Sequence, residues 1–190
     1  MTGFPEWRQR LDELLQRHEH DPRSRWVQLA TVRADGMPAN RTVVLRSFLD
    51  PSDRVVFTTD LRGDKISQLG HSRWGEVCAY FGETREQFRI LGRVAAVGAD
   101  GNADESAARR RAWSSASPSS RQSFTWPAPG APRADNAEFD RAAPDEPPTT
   151  FGILVLTPER VETLDLRPHP HARVVHTLHA GAWSSAAINP

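Results

Sequence analysis

The amino-acid sequence predicts a mainly β protein whose strands run antiparallel and are flanked by two or three helices. About eight stretches alternate β-branched or aromatic residues with polar ones, which is the pattern of half-buried strands. The first of these stretches are separated by short turn-like segments, and such close spacing favours hairpins over the longer crossovers that parallel strands need. The 190 residues suffice for a substantial core, so we predict a single domain over residues 1–190.

The first half of the chain begins with an amphipathic segment. Trp7, Leu11, Leu14 and Leu15 recur at helical spacing, which predicts a helix over residues 4–18. The pair Asp35-Gly36 is typical of a hairpin turn between two strands. The predicted elements that follow the first helix are strands over residues 26–33, 40–48 and 54–59, a short helix over 65–70, and strands over 76–81 and 86–97.

The second half of the chain is interrupted by a segment rich in serine and proline. A helix is predicted over residues 103–113, and the ten residues 114–123 then contain six serines. Seven of the fifteen prolines lie within residues 114–150, so we expect an irregular insertion there. The remaining predicted strands cover residues 151–156, 160–166, 172–178 and 183–188, with turns at Thr157-Pro158 and Ala180-Gly181.

Composition excludes several classes of protein. Lys+Arg and Asp+Glu both number 24, so no global field attracts nucleic acid or an anionic membrane. The single cysteine, Cys78, cannot form an intrachain disulfide or a cysteine-rich metal site. No apolar stretch approaches the roughly 20 residues that span a bilayer, and no secretory signal is evident. We therefore expect a cytoplasmic protein without a nucleic-acid or membrane partner.

Four cationic residues are candidates for a phosphate site. Arg62 and Lys65 lie at the predicted start of a short helix, where unpaired amides and the helix dipole favour an anion. Arg41 and Arg46 flank a run of strand-forming residues, and strict alternation places their side chains on opposite faces. When each is taken alone, ordinary surface arginines and a solvated charged turn remain alternatives.

Gln87 and a group of histidines are further candidates. The Gln87 amide offers both a donor and an acceptor, which suits the imide edge of a flavin ring. Four of the seven histidines lie within eleven residues, which raises the question of a metal site. We predict no metal, because prolines at 168 and 170 break the regular spacing and no acidic partner is evident; surface or substrate-contacting histidines are the preferred interpretation. These four are His169, His171, His176 and His179.

Taken in order, these motifs resemble the pyridoxamine 5'-phosphate oxidase-like flavoproteins. They are Arg41-Thr-Val-Val-Leu-Arg46, Phe57-Thr-Thr59, the basic loop ending at Lys65, and Gln87-Phe-Arg-Ile-Leu-Gly92. The segment Arg167–Arg173 is similar to the terminal segment of that family. The layout is most similar to the branch called pyridoxamine 5'-phosphate oxidase-related.

The resemblance implies an antiparallel six-stranded split barrel that binds FMN at the interface of a homodimer and acts on a small-molecule substrate. Arg46 stands where the oxidases have a basic residue facing the substrate. We expect the second subunit to cover apolar strand residues such as Val43 and Leu45. The residues implied to bind FMN are Arg41, Thr42, Val43, Val44, Thr58, Thr59, Arg62, Lys65, Gln87 and Arg173.

One departure from the family bears on the substrate. The oxidases hold the substrate phosphate with a tyrosine and an arginine from the helix after the barrel core, and our alignment places Arg109 and Trp113 there. We therefore expect an FMN-dependent oxidoreductase that oxidises pyridoxamine 5'-phosphate weakly or not at all. Two alternatives remain: a flavin-binding protein without catalysis, and a split barrel that binds heme or a deazaflavin instead, with the histidines the only feature favouring heme.

Overall fold

The computed structural model describes residues 3–190, which form a β-sheet structure with four α-helices. Among these residues, no helix has the length and apolar character needed to cross a membrane. The helices are α1 (Glu6–Arg17), α2 (Asp64–His71), α3 (Ala103–Ser114) and α4 (Pro118–Gln122). The strands are β1 (Trp26–Val32), β2 (Pro38–Phe48), β3 (Val55–Asp60), β4 (Trp74–Phe81), β5 (Glu86–Val97), β6 (Phe151–Asp165), β7 (Ala172–His179) and β8 (Ala182–Ile188).

Six of the strands close into an antiparallel barrel. They are ordered β3-β2-β1-β4-β5-β6, and the barrel closes because the first half of β6 also pairs with β3. The second half of β6 instead pairs with β7, and β8 adds beyond it, so these two strands extend the sheet away from the barrel. The predicted antiparallel six-stranded barrel with flanking helices is confirmed.

The predicted turn at Thr157-Pro158 is wrong, because β6 is one continuous strand. Its register with β5 changes between Leu91 and Gly92, which is a local irregularity rather than a reversal of the chain. A Cβ atom at Gly92 would lie 2.1 Å from the Thr157 carbonyl oxygen. Only glycine permits this close approach of two backbones, and it lets β6 bend around the barrel without leaving the sheet.

The barrel interior forms the main core, and α1 covers one end of it. Trp7 and Leu11 of α1 are 1% and 0% exposed and pack with the inward-facing strand residues. Val43 and Leu45 are 6% and 0% exposed within the same core. Our expectation that Val43 and Leu45 form a row covered by a second subunit is therefore wrong, because the barrel itself buries them.

A second apolar cluster lies outside the barrel, under the serine- and proline-rich segment. Trp113 of α3 packs edge-on against Phe151, with the ring centroids 4.9 Å apart, and its Nε1 donates to the Asp145 carbonyl at 2.8 Å. Arg109 donates from Nε to the Phe151 carbonyl at 2.9 Å and from Nη2 to that of Pro148 at 2.8 Å. Residues 114–150 contain α4 and two 3-10 turns, and these bonds hold the segment against β6.

Candidate functional site

Arg41 lies at the barrel end remote from α1, with its side chain half-buried. Its Nη1 donates to the Thr31 hydroxyl at 2.6 Å and to the Leu29 carbonyl at 3.1 Å. Its Nη2 donates to the Gln68 side-chain oxygen at 2.7 Å, which ties β2 to α2. All of these acceptors are neutral, so the guanidinium is held in place without its charge being compensated.

Lys65 stands beside this arginine in the first turn of α2. The helix is N-capped by Gly63 without a side-chain hydrogen bond, and a Cβ at Gly63 would lie 3.0 Å from Lys65 Nζ. Burial and the charge of Arg41 lower the pKa of Lys65, whereas Asp60 and Asp64 act in the opposite direction. Within residues 3–190, neither Arg41 nor Lys65 forms an ion pair with a carboxylate. Two half-buried cations therefore meet at a helix start, which is an arrangement that favours an anion.

Arg62 lies in the same loop but is already paired. It donates from Nε to Asp60 Oδ1 at 3.0 Å and from Nη2 to Oδ2 at 2.6 Å. Its Nη1 donates to the Trp126 carbonyl at 2.8 Å. The carboxylate compensates its charge, and the third bond attaches the serine- and proline-rich segment to the loop before α2.

A second group of site candidates lies on the outer face of the barrel wall, which points away from the interior. Thr42, Val44 and Arg46 alternate onto this face of β2, as predicted, and Val44 pairs with Thr58 of β3. Arg46 Nε donates to the Thr58 hydroxyl at 3.3 Å. Burial lowers the pKa of Arg46, and the nearby charge of Arg25 adds to this.

Two of the residues implied to bind FMN are turned inward. The side chains of Val43 and Thr59 are 6% and 4% exposed and point into the barrel. Thr59 donates its hydroxyl to the Asp60 carbonyl at 3.2 Å. Only the backbones of these two residues are therefore within reach of a ligand on the outer face.

The third group lies where β5, β6 and β7 run side by side. Gln87 pairs with Leu164, and Leu164 pairs with Arg173, so the three residues form one row across the sheet. Arg173 Nε donates to Glu162 Oε2 at 3.1 Å. That hydrogen bond is the main reason why the pKa of Glu162 falls below its ordinary value.

One chain does not bring the second and third groups together. Strands β1 and β4 lie between β2 and β5, so Val44 and Gln87 are three strand intervals apart. At about 4.8 Å per interval, this is roughly 14 Å along a curved wall. The outer face between them carries Trp26 and Tyr80, whose side chains are 52% and 53% exposed. We call Val44, Trp26, Tyr80 and Ile188 the outer apolar surface.

The histidines do not gather into a cluster. His176 is 4% exposed and faces the α1 side of the sheet, whereas His171 Nδ1 lies 3.1 Å from the Pro168 carbonyl oxygen in the turn before β7. Within residues 3–190, no group of three or more His, Cys, Asp or Glu side chains is arranged to hold a metal ion.

Several known proteins are similar to this chain in sequence, in fold, or in both. A family model described as pyridoxamine 5'-phosphate oxidase, FMN-binding domain, matches residues 4–98. Pyridoxine/pyridoxamine 5'-phosphate oxidase 2 of Arabidopsis thaliana is 35% identical over 197 residues, covering 100% of this chain and 99% of that protein. The crystal structure of a pyridoxamine 5'-phosphate oxidase-related, FMN binding protein from Nostoc punctiforme has a TM-score of 0.92 and 38% identity, and the match covers 100% of both chains.

A further solved structure is similar in fold alone. PhzG from Burkholderia lata, crystallised in complex with tetrahydrophenazine-1-carboxylic acid, has a TM-score of 0.76. It is 20% identical to this chain, and the match covers 100% of this chain and 98% of PhzG.

Proposed function

The chain belongs to the pyridoxamine 5'-phosphate oxidase family of FMN-binding domains, and we propose that it is an FMN-dependent oxidoreductase acting on a small molecule. The observation that carries this proposal is the meeting of Arg41 and Lys65, two half-buried cations without a carboxylate partner, at the start of α2. The phosphate of FMN supplies the charge and the acceptor oxygens that this corner lacks.

The residues of the proposed phosphate site at the start of α2 contribute in different ways. Arg41 offers a guanidinium whose position is fixed by Thr31 and Gln68, and Lys65 adds an ammonium. The amides of Asp64 and Lys65 are left to donate to a ligand, because the N-cap Gly63 offers no side-chain acceptor, whereas the Ile66 amide already donates to the Gly63 carbonyl at 3.0 Å. In this proposal Arg62 contributes mainly by ordering the loop, since Asp60 already occupies two of its donors.

The flavin ring requires two chains. We assign Thr42, Val44 and Thr58 of one subunit to one side of the ring, with the Val43 backbone running beside it. Gln87 is roughly 14 Å away on the same chain, and Arg173 lies two strands further along the sheet, so we assign both to the ring held by the second subunit of a homodimer. Burial of the outer apolar surface favours association of the two subunits, because a dimer interface removes its exposed aromatic side chains from water.

When bound, FMN supplies the hydride chemistry at its ring, and the protein supplies binding and orientation. The amide of Gln87 is suited to the imide edge of the ring, and the side chains of the outer apolar surface exclude water from it. Arg46, which is cationic and has no carboxylate partner within residues 3–190, is assigned to the substrate. It favours a small molecule that carries an acceptor or a negative charge.

The experiment that tests this proposal begins with the absorbance spectrum of the purified protein. We expect oxidised-flavin bands, either as purified or after adding FMN, and bleaching of these bands under anaerobic NADPH or NADH. Flavin binding without reduction or turnover would support the non-catalytic alternative, and a heme or deazaflavin spectrum would support the other. Failure to bind FMN after reconstitution would refute the proposal.

A further inference from the structure

A cavity of about 160 Å³ lies beneath α1, between that helix and strands β5, β6 and β7. Trp7, Phe88, Thr163, Val174 and His176 are among the residues that line it. Apart from Gln87 and Leu164, every strand residue in its lining alternates onto the face that packs against α1. The cavity is therefore on the opposite side of the sheet from the outer face.

Three polar side chains in this lining have no hydrogen-bond partner within residues 3–190. Trp7 is 1% exposed, and its buried Nε1 donor is unpaired. His176 is 4% exposed, and neither its ring nitrogens nor the Thr163 hydroxyl makes a hydrogen bond to the chain. Burial lowers the pKa of His176, whereas the charge of Glu6 acts in the opposite direction, and in its neutral form the ring offers one donor and one acceptor. A buried unpaired donor such as Trp7 Nε1 is costly, so it favours a ligand that satisfies it, and His176 and Thr163 add polar groups beside it.

Three of the four charged residues in the lining are paired, and the fourth, Glu6, is exposed at the surface. Arg10 donates to both carboxylate oxygens of Glu86, at 2.9 and 2.7 Å, and Asp165 accepts from Arg167 at 2.7 Å. The paired charges give the interior of the cavity no net preference for an anion, and Glu6 adds one exposed carboxylate to its lining. Its other walls are apolar, from Phe88 and Val174.

The volume sets the size of the occupant. An apolar cavity of about 150 Å³ in another protein holds one benzene molecule. The cavity beneath α1 has similar volume but adds a donor and a donor–acceptor group to its walls. An aromatic ring that bears one hydroxyl group matches both the volume and these polar groups.

We propose that this cavity is a second ligand site, which binds a single-ring hydroxyaromatic molecule separately from the flavin. The ring packs against Phe88 and Val174. Its hydroxyl accepts a hydrogen bond from Trp7 Nε1 and donates one to a ring nitrogen of His176. The inference does not rest on the proposed flavin chemistry, because Arg41, Lys65 and Arg62 do not line the cavity, and Gln87, which does, alternates onto the outer face of β5.

The test uses phenol as the probe and NMR of the tryptophan indole N–H signals as the readout. The chain has six tryptophans, and the signal that disappears in Trp7→Phe belongs to Trp7. Phenol should shift this signal saturably, with or without FMN present. Toluene, which has no hydroxyl, should bind at least about tenfold more weakly.

The matched variants are His176→Phe and His179→Phe, which make the same change on β7 at a buried and at an exposed position. The first should weaken phenol binding about tenfold or more, and the second should leave it unchanged. Equal binding of phenol and toluene, displacement of phenol by FMN, equal effects of the two variants, or no shift of the Trp7 signal would each overturn the proposal. The comparison of phenol with toluene needs no variant, so it decides the matter even if His176→Phe fails to fold.

Discussion

Arg41 Nη2 and Thr31 Oγ1 both donate to the same acceptor, Gln68 Oε1, each at 2.7 Å. The glutamine belongs to α2, and the other two residues belong to neighbouring barrel strands. One amide oxygen therefore aligns the helix that carries Lys65 with the strand that carries Arg41. Because the acceptor is neutral, the positions of both cations are fixed while their charge remains available to a ligand.

Arg41→Ala and Lys65→Ala should each weaken FMN binding by about ten- to a hundredfold, since each removes a charge-assisted bond of roughly 1.5–3 kcal/mol. Riboflavin, which lacks the phosphate, should be nearly indifferent to both changes. Titration of the cofactor-free protein with each flavin measures the effect. Arg110→Ala, an exposed arginine of α3, is the control of equal charge. Equal losses for FMN and riboflavin would show that the phosphate lies elsewhere.

Arg62→Ala should show whether Arg62 binds the FMN phosphate directly or instead holds the serine- and proline-rich segment in place. Because Asp60 and the Trp126 carbonyl occupy its donors, this change should cost less FMN affinity than Lys65→Ala. It should instead release the serine- and proline-rich segment, which limited proteolysis within residues 123–150 will detect as faster cleavage. Lys65→Ala should leave that cleavage rate unchanged. If Arg62→Ala matches Lys65→Ala in FMN loss and cleavage is unaltered, Arg62 is a direct phosphate contact.

The strand pattern predicted the antiparallel strands because local alternation is sufficient to decide which face of each strand is buried, whereas the closed six-stranded barrel was implied by the family resemblance. It correctly placed Arg41 and Arg46 on opposite faces of β2. It could not predict the continuity of β6, because that depends on Gly92, which lies far from Thr157 in sequence.

The outer apolar surface escaped prediction for a related reason. Trp26 and Tyr80 belong to separate strands, and only the pairing of β1 with β4 brings them to one face. The ion pair between Arg62 and Asp60, in contrast, joins residues only two positions apart, so the sequence alone could have indicated it. Considering that neighbour would have lowered the expected share of Arg62 in phosphate binding.

Tyr80→Glu should convert the proposed homodimer into monomers and reduce FMN binding together with it. The side chain is 53% exposed, so the chain itself tolerates a charge there, whereas an apolar interface does not. Sedimentation velocity at micromolar concentration measures the first effect, and flavin titration the second. Met37→Glu changes an equally exposed apolar residue in the β1–β2 turn and should alter neither. A wild-type monomer that binds FMN fully would contradict the two-chain site.

Pyridoxamine 5'-phosphate should be oxidised slowly, well below roughly 1 per second. Arg109 and Trp113, which our alignment places at the phosphate-gripping positions, donate to backbone carbonyls and are 8% and 2% exposed, so neither reaches a substrate. Oxygen consumption by the FMN-loaded protein, with pyridoxamine 5'-phosphate as the sole substrate, measures this rate. Turnover at roughly 1 per second or faster would show that other residues hold the phosphate.

Glu86→Gln should lower the free energy of unfolding at neutral pH. It should also make that free energy fall less as the pH is lowered. The hydrogen bond from Arg10 is the main reason why the pKa of Glu86 lies below its ordinary value, and the carboxylate is only 9% exposed. An unfolded glutamate titrates near 4.3, so the contribution of this pair is complete above roughly that pH and is lost as the pH falls through the lower, folded-state pKa.

Urea unfolding of wild type and variant at pH 7, and at several values below 4.3, measures this contribution. The difference in unfolding free energy at pH 7 should be about 1.5–3 kcal/mol, as for a hydrogen bond to a charged group, and it should shrink as the pH falls. Glu83→Gln changes a glutamate that is 83% exposed and should remain close to wild type throughout. A difference that stays constant across the acid range would mean that Glu86 acts through packing rather than through its charge.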